Sequence, residues 1–107
     1  MRILLVDDEP GVVRALTRLF KGLGHEVASA SCGPAAVALL DHFEPDAVVS
    51  DYRMPGMTGA ELLAVVARRY PAARRVLLSG FADARGPFDA TFVSKPYDRD
   101  QLVAACL

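Results

Sequence analysis

Short apolar runs recur along the chain and are separated by segments with helical periodicity. The continuous run Ile3–Val6 is typical of a parallel strand that is covered on both faces. Similar or weaker runs predict four more strands, over His25–Ala30, over Ala47–Val49 with its end at Asp51, over Arg75–Leu78 and over Thr91–Val93. The pattern therefore predicts five short strands.

Apolar residues at spacings of three and four predict the helices between these strands. One stripe of the helix predicted over Gly11–Leu23 consists of Val12, Leu16, Leu19, Phe20 and Leu23. A second helix is predicted over Gly33–Phe43. A third begins after Thr58, which forms a capping-box pattern with Glu61, and a short last helix covers Asp98–Leu107. Strands that alternate with helices predict an α/β fold, with a parallel sheet and helices on both faces.

Length and composition fit one folded domain over residues 1–107. A chain of 107 residues lies near the lower end of the ~100–200 residues usual for a domain. Its 52% apolar and 23% charged residues describe a folded globule rather than a disordered segment. With 12 basic and 13 acidic residues the net charge is −1, which removes the general electrostatic attraction behind most nucleic-acid binding. We therefore expect no direct contact with nucleic acid.

The apolar runs are also too short for a secreted or a membrane protein. Only Ile3–Val6 precedes a cluster of acids at the start of the chain, whereas a signal peptide needs an apolar region of ~7–15 residues. The longest later run, Ala35–Leu40, is far below the ~20 residues of a transmembrane helix. We therefore expect a cytoplasmic protein without membrane contact, whose Cys32 and Cys106 are reduced and mostly buried.

Polar side chains stand at the carboxyl ends of four predicted strands. Asp7 and Asp8 end the first strand, Asp51 the third, Ser79 the fourth and Lys95 the fifth. Because ligands of open parallel sheets bind outside these strand ends, we expect the side chains to converge. Three close carboxylates repel one another, and a hard divalent cation, Mg²⁺ for preference, relieves that repulsion. An ammonium and a hydroxyl beside them suit a phosphoryl group, and one carboxylate could serve as nucleophile.

Four short segments surround these polar residues. They read VDDEP at 6–10, DYRMPGMTG at 51–59, LLSG at 77–80 and KP at 95–96. Together, in this order across nearly the whole chain, they resemble the motifs of the receiver domain of bacterial two-component response regulators. The resemblance implies a flavodoxin-like fold with a five-stranded parallel sheet in the order 2-1-3-4-5.

The resemblance also implies a phosphorylation site with a metal ion. Asp51 would accept a phosphoryl group from a phosphohistidine on a sensor histidine kinase or a phosphotransfer protein. Asp8, Asp51 and the backbone carbonyl of Arg53 would ligate Mg²⁺, and Asp7 would act mostly through a metal-bound water. The chain would catalyse only its own phosphorylation and dephosphorylation at Asp51, so it would not be an enzyme in the usual sense.

Three further residues receive roles from the same resemblance. Lys95 would pair with the phosphate, and the Ser79 hydroxyl would swing toward it. Phe92 occupies the family's switch-aromatic position, whose ring changes rotamer as the hydroxyl moves. Phosphorylation would thereby switch a surface that binds a downstream protein effector. The Lys95–Pro96 peptide bond is expected to be cis.

The segment between Ser79 and Lys95 departs from the family pattern, because it contains only 15 residues where a full helix with its loops is usual. We therefore expect the fourth helix to be shortened or missing. Its loss would leave apolar surface near Phe81, Phe88 and Phe92, which a partner or a second copy in a homodimer would cover.

Two other functions are compatible with the same residues. A receiver-like scaffold would bind its partner whatever the state of Asp51, and the short segment after Ser79 favours this alternative. A magnesium-dependent phosphatase on a similar sheet would also use an aspartyl nucleophile. Such phosphatases typically carry a D-x-D motif, whereas Asp7 and Asp8 are adjacent here.

Overall fold

The computed structural model of the chain describes residues 1–80 and 90–107, in which strands and helices alternate. The elements are β1 (Arg2–Val6), α1 (Pro10–Gly22), β2 (Glu26–Ala30), α2 (Gly33–Phe43), β3 (Ala47–Asp51), α3 (Gly59–Arg69), β4 (Arg74–Ser79), β5 (Thr91–Ser94) and α4 (Arg99–Cys106). All five predicted strands and all four predicted helices are present in these residues. The expected shortening or loss of a helix between β4 and β5 falls on residues 81–89, outside the described residues.

The five strands form one parallel sheet in the order β2-β1-β3-β4-β5, which confirms the expected topology. The central strands β1 and β3 pair with each other, and all five residues of β3 are buried. Burial on both faces explains why these two strands read as continuous apolar runs rather than as alternating patterns. The carboxyl ends of β1 and β3 consequently lie side by side.

Alternate strand residues supply two separate cores, one on each face of the sheet. Leu4, Val6 and Val48 point to the face covered by α2 and α3. Ile3 and Leu5 belong to the other face, where Phe20 of α1 and Leu102 of α4 pack. The predicted helices on both faces are thereby confirmed.

The predicted apolar stripe of α1 is correct in its middle and wrong at its end. Leu16 and Phe20 are buried, but Leu23 is 52% exposed. The helix ends at Gly22, and Leu23 caps it just before Gly24, whose φ of 90° turns the chain away. Leu23 therefore leaves the helical face that the spacing assigned to it.

No helix within residues 1–80 and 90–107 has both the length and the apolar character needed to cross a bilayer.

The capping box of α3 gives a first testable prediction. The Thr58 hydroxyl accepts a hydrogen bond from the Glu61 N–H at 3.1 Å, and the Thr58 N–H donates to the Glu61 carboxylate at 3.0 Å. We expect Thr58→Ala to lower the free energy of unfolding by about 1 kcal/mol, because the first turn loses its side-chain acceptor. Urea unfolding measures this, and Thr58→Ser, which keeps the hydroxyl, should stay close to the original value. An equal loss in both variants would show that the methyl group, not the cap, matters.

Candidate functional site

Three carboxylates meet at the carboxyl ends of the two central strands. Asp7 and Asp8 follow β1, and Asp51 is the last residue of the adjacent β3. One oxygen from each of the three lies within 4.8 Å of the others. Asp7 and Asp51 are buried, whereas Asp8 is exposed. The register of β1 and β3 therefore creates a dense negative site that opens to solvent at Asp8.

The environment of Asp7 is unfavourable for a charged group. Its Oδ1 accepts a hydrogen bond from the Glu9 N–H at 2.9 Å, but its buried Oδ2 has no hydrogen-bond partner among the described residues. Burial raises the pKa of Asp7, and the charges of Asp51 and Asp8 add to the rise, against the opposing effects of the Glu9 N–H and Lys95. A cation at this position would offset that cost.

Lys95 supplies the compensating charge on the other side of Asp51. Its Nζ donates to Asp51 Oδ1 at 2.5 Å, and 38% of the lysine side chain is exposed. Burial alone lowers the pKa of Lys95, but the hydrogen bond and charge of Asp51, with Asp7 and Glu9, outweigh this and raise it. The side chain is therefore a cation at neutral pH. The peptide bond to Pro96 is cis, as expected.

The remaining predicted residues lie at different distances from this centre. Ser79 is buried at the end of β4, and its carbonyl accepts from the Lys95 N–H at 2.9 Å. Arg53 is exposed and lines an open cleft together with Asp8. Phe92 lies farther back on β5, half-buried against the core on the α2 and α3 face. Of the expected surface phenylalanines, Phe81 and Phe88 lie outside the described residues.

Two residues that pack against Asp51 received no role of their own from the sequence. The buried Ser50 hydroxyl donates to the main-chain carbonyl of Asp51 at 3.0 Å. Gly59, the first residue of α3, passes so close that a β-carbon there would lie 2.2 Å from the same carbonyl oxygen. A glycine at the first position of a helix was the available signal, because glycine is a poor helix former and its presence needs a reason.

The residues present suit a hard divalent cation. Carboxylate oxygens are the ligands that Mg²⁺ prefers, and it binds through one or two of them together with waters and phosphate oxygens. Asp8 is exposed beside the buried Asp51, and the buried Asp7 Oδ2 has no hydrogen-bond partner among the described residues. The donor set and the excess negative charge therefore fit Mg²⁺.

The raised pKa of Asp7 predicts that the site destabilises the metal-free protein at neutral pH. A carboxyl whose pKa is raised on folding binds its proton more tightly in the folded state, so stability falls as pH rises above the ordinary value of 3.8. We expect Asp7→Asn to increase the free energy of unfolding at pH 7 by about 1 kcal/mol, because it removes a buried negative charge that Asp51 and Asp8 repel. The gain should shrink as the pH is lowered toward 4. Denaturant unfolding in EDTA at several pH values measures this.

Asp8→Asn is the matched control for this prediction, because it removes the same charge from an adjacent but exposed residue. Its effect should be less than half that of Asp7→Asn. A metal-free Asp7→Asn variant less stable than the original protein at pH 7 would contradict the account of Asp7.

The chain matches a known protein family over nearly its whole length. The family described as response regulator receiver domain matches residues 3–107. Regulatory protein AtoC from Escherichia coli is 35% identical over 109 residues, which cover 94% of this chain and 23% of AtoC. The chain spans about a quarter of the length of this and similar curated relatives.

Solved structures agree with the sequence match. The signal receiver domain of an HD domain-containing protein from Pseudomonas fluorescens has a TM-score of 0.88 and 32% identity, covering 97% of this chain and 82% of that one. The response regulator TrrA from Thermotoga maritima, in complex with Mg²⁺-BeF, has a TM-score of 0.86 and 28% identity, covering 96% and 93%.

Proposed function

Because this chain belongs to the response regulator receiver domain family, we propose that Asp51 is the residue on which it receives a phosphoryl group. The chain is a phosphoacceptor domain of two-component signal transduction, a class that is not made up of conventional enzymes. The observation that carries the assignment is the position of the Asp51 carboxylate. It clusters with the carboxylates of Asp7 and Asp8 and accepts a hydrogen bond from the Lys95 ammonium.

Asp51 is a better nucleophile than its two neighbours. Asp7 is buried, its pKa is raised, and its Oδ1 is held by the Glu9 N–H. Asp8 is exposed and has no cation within the contacts that the described residues show. In the proposed step an Asp51 carboxylate oxygen forms a bond to phosphorus while the phosphorus–nitrogen bond of a phosphohistidine breaks. The electron pair of that bond goes to the departing imidazole, and the product is an acyl phosphate.

Lys95 and Ser79 would hold the product in place. The Lys95 Nζ, already on Asp51 Oδ1, would contact the phosphoryl oxygens that form there. Ser79, at the neighbouring strand end, would donate its hydroxyl to the same group. Phe92 lies on the strand beside Ser79 and would change its packing as the hydroxyl moves. The new charge would thereby alter a surface that binds an effector.

Mg²⁺ is the proposed cofactor. Asp8, Asp51 and the main-chain carbonyl of Arg53 would hold it, with Asp7 acting through a water molecule. When bound, the ion supplies positive charge that offsets both the carboxylates and an incoming phosphoryl group. The complex of the Thermotoga relative with Mg²⁺-BeF supports a magnesium site in this fold.

The partners follow from the same proposal. A sensor histidine kinase or a phosphotransfer protein would deliver the phosphoryl group in the cytoplasm, and a protein effector would respond to it. Residues 1–107 would form a single receiver domain. The transcriptional regulatory protein GlrR from Escherichia coli, a curated relative, is about four times as long as this chain, so any contact with DNA would belong to parts of a protein beyond this domain.

Intact-protein mass spectrometry tests the proposed function. The chain is incubated with acetyl phosphate and Mg²⁺, and parallel samples contain EDTA or lack the phosphate donor. We expect one phosphoryl group per chain only when both donor and metal are present. A folded protein that takes up no phosphoryl group under any condition would contradict the proposal and favour the scaffold that binds its partner independently of phosphorylation.

A further inference from the structure

The first residue of α3 lies directly against the main chain of Asp51. Gly59 is buried, and a β-carbon on it would lie 2.2 Å from the Asp51 carbonyl oxygen and 2.9 Å from the carbonyl carbon. The same β-carbon would lie 2.8 Å from the Leu77 Cδ1 atom. Ordinary contacts of a β-carbon begin near 3.4 Å. No residue with a side chain fits unless the helix and the strand end separate by about 1 Å.

Hydrogen bonds fix this approach from both sides. The Gly59 N–H donates to the Tyr52 carbonyl at 2.9 Å, and the Tyr52 N–H donates to the Leu78 carbonyl at 2.9 Å. The start of α3 is thus tied to the residue that follows Asp51, and that residue is tied to β4. The buried Ser50 hydroxyl adds a bond to the Asp51 carbonyl itself. The main chain of Asp51 has little freedom to move.

We infer that Gly59 is a positioning residue for Asp51: its bare α-carbon lets α3 start against the Asp51 carbonyl, and this contact, with the Ser50 hydrogen bond, sets where the Asp51 carboxylate stands. The inference rests on the proposed role of Asp51 as phosphoacceptor. The start of α3 bears no reacting group, yet it would set the relative positions of Asp51, Asp8 and Lys95.

A glycine in free space provides a comparison. Gly22 is the last residue of α1, and a β-carbon on it would meet no heavy atom within 4 Å outside its own helix. Gly22→Ala therefore makes the same chemical change without crowding the residues around Asp51.

Gly59→Ala is expected to slow phosphorylation of the folded protein. Reacting groups displaced by about 1 Å lose about 10- to 100-fold in rate, because phosphoryl transfer depends on alignment. The dissociation constant of Mg²⁺ should rise as well, since Asp51 is a proposed ligand. Gly22→Ala should keep the rate of phosphorylation within about twofold of the original, because a β-carbon there has free space.

The experiment compares the original chain with Gly59→Ala, Gly22→Ala, Leu77→Val and the double variant of Gly59→Ala with Leu77→Val. Stopped-time mass spectrometry with acetyl phosphate gives the rate constant and the final phosphorylated fraction, and calorimetry gives the Mg²⁺ dissociation constant. Circular dichroism first verifies that each variant is folded at equilibrium. Molecules that stay unfolded during the measurement would lower the final fraction and leave the rate constant and the Mg²⁺ affinity of the folded molecules unchanged. Displacement of Asp51 would lower the rate constant and weaken Mg²⁺ binding.

Leu77→Val separates the two contacts of a β-carbon at position 59, because it removes the Leu77 atom that would be hit and leaves the Asp51 carbonyl in place. The double variant should remain as slow as Gly59→Ala. Recovery of the rate in the double variant, or an unchanged rate in Gly59→Ala itself, would overturn the inference.

If Gly59→Ala does not fold, Ser50→Ala tests whether contacts to the Asp51 carbonyl position the Asp51 carboxylate. It removes only the hydroxyl that donates to the Asp51 carbonyl, and we expect the rate to fall about 3- to 10-fold, which corresponds to the loss of one hydrogen bond. An unchanged rate would then overturn the inference. If the original chain itself takes up no phosphoryl group, the proposed function fails, and the Mg²⁺ affinities alone decide whether Gly59 positions Asp51.

Discussion

Asp51→Asn is expected to take up no measurable phosphoryl group from acetyl phosphate, a loss of at least about 1000-fold in rate. The amide has the shape of the carboxylate but carries no negative charge, and its oxygen is a weak nucleophile. That amide oxygen can still accept a hydrogen bond from the Lys95 Nζ, so the variant should fold like the original chain. Intact mass spectra at saturating donor and Mg²⁺, with circular dichroism to verify folding, give the result.

Asp100→Asn is the matched control for this variant, because Asp100 is an exposed carboxylate in the first turn of α4 and does not belong to the cluster of Asp7, Asp8 and Asp51. It should be phosphorylated like the original chain. A folded Asp51→Asn protein that gains a phosphoryl group at an undiminished rate would rule out Asp51 as the acceptor.

Lys95→Ala is expected to lower the rate of phosphorylation by about 100-fold, the usual cost of removing one positioned charge from a phosphoryl-transfer site. Its ammonium is the cation that contacts Asp51, and its raised pKa keeps it charged throughout the neutral range. Without the ammonium, the repulsion between the negative charges of Asp51, Asp7 and Asp8 is no longer offset by the cation that contacts Asp51. Initial rates at several donor concentrations measure the effect, which should appear as a lower maximal rate.

The only other lysine, Lys21, offers a matched control at the exposed end of α1. Lys21→Ala should leave the rate within about twofold of the original value, since its distance from the site leaves little coupling. Lys95→Arg keeps the charge but presents a planar group, and it should recover only part of the loss. Equal rates for Lys95→Ala and the original chain would contradict the proposed contact between Lys95 and the phosphoryl group.

The sheet and the convergence of the site could be predicted because each depends on a local pattern and one general rule. Ile3–Val6 is apolar throughout because β1 lies between two strands and under two helical layers. Asp51 ends β3, Asp7 and Lys95 directly follow β1 and β5, and parallel strands present these ends at one edge. Knowledge of which residues end strands was therefore enough to bring the acids and the lysine together.

The details that decide the chemistry depend on contacts between distant segments, and local patterns do not contain them. Asp7 differs from the adjacent Asp8 in its burial, and its Oδ2 has no partner among the described residues. The approach of Gly59 to the Asp51 carbonyl depends on how closely α3 packs on β3 and β4, which periodicity does not specify. The exposed Leu23 shows the same limit, because the apolar spacing continued one residue past the helix end.

The buried acids also connect the stability of the folded chain with the binding of a cation. The Asp7 carboxylate lies in a poorly solvated position close to Asp51. This arrangement lowers the stability of the folded chain in the absence of a cation. Ligands that bind only the folded state stabilise it by mass action. The same acids that weaken the metal-free chain would therefore make its stability respond to Mg²⁺.

The most direct test of the central claim is to identify the phosphorylated residue chemically. Borohydride reduces an aspartyl acyl phosphate to homoserine, and tandem mass spectrometry of the digested protein locates that residue. We expect homoserine at position 51 alone, formed only after treatment with acetyl phosphate and Mg²⁺. Homoserine at position 7 or 8, or a phosphorylated protein without homoserine at any aspartate, would contradict it.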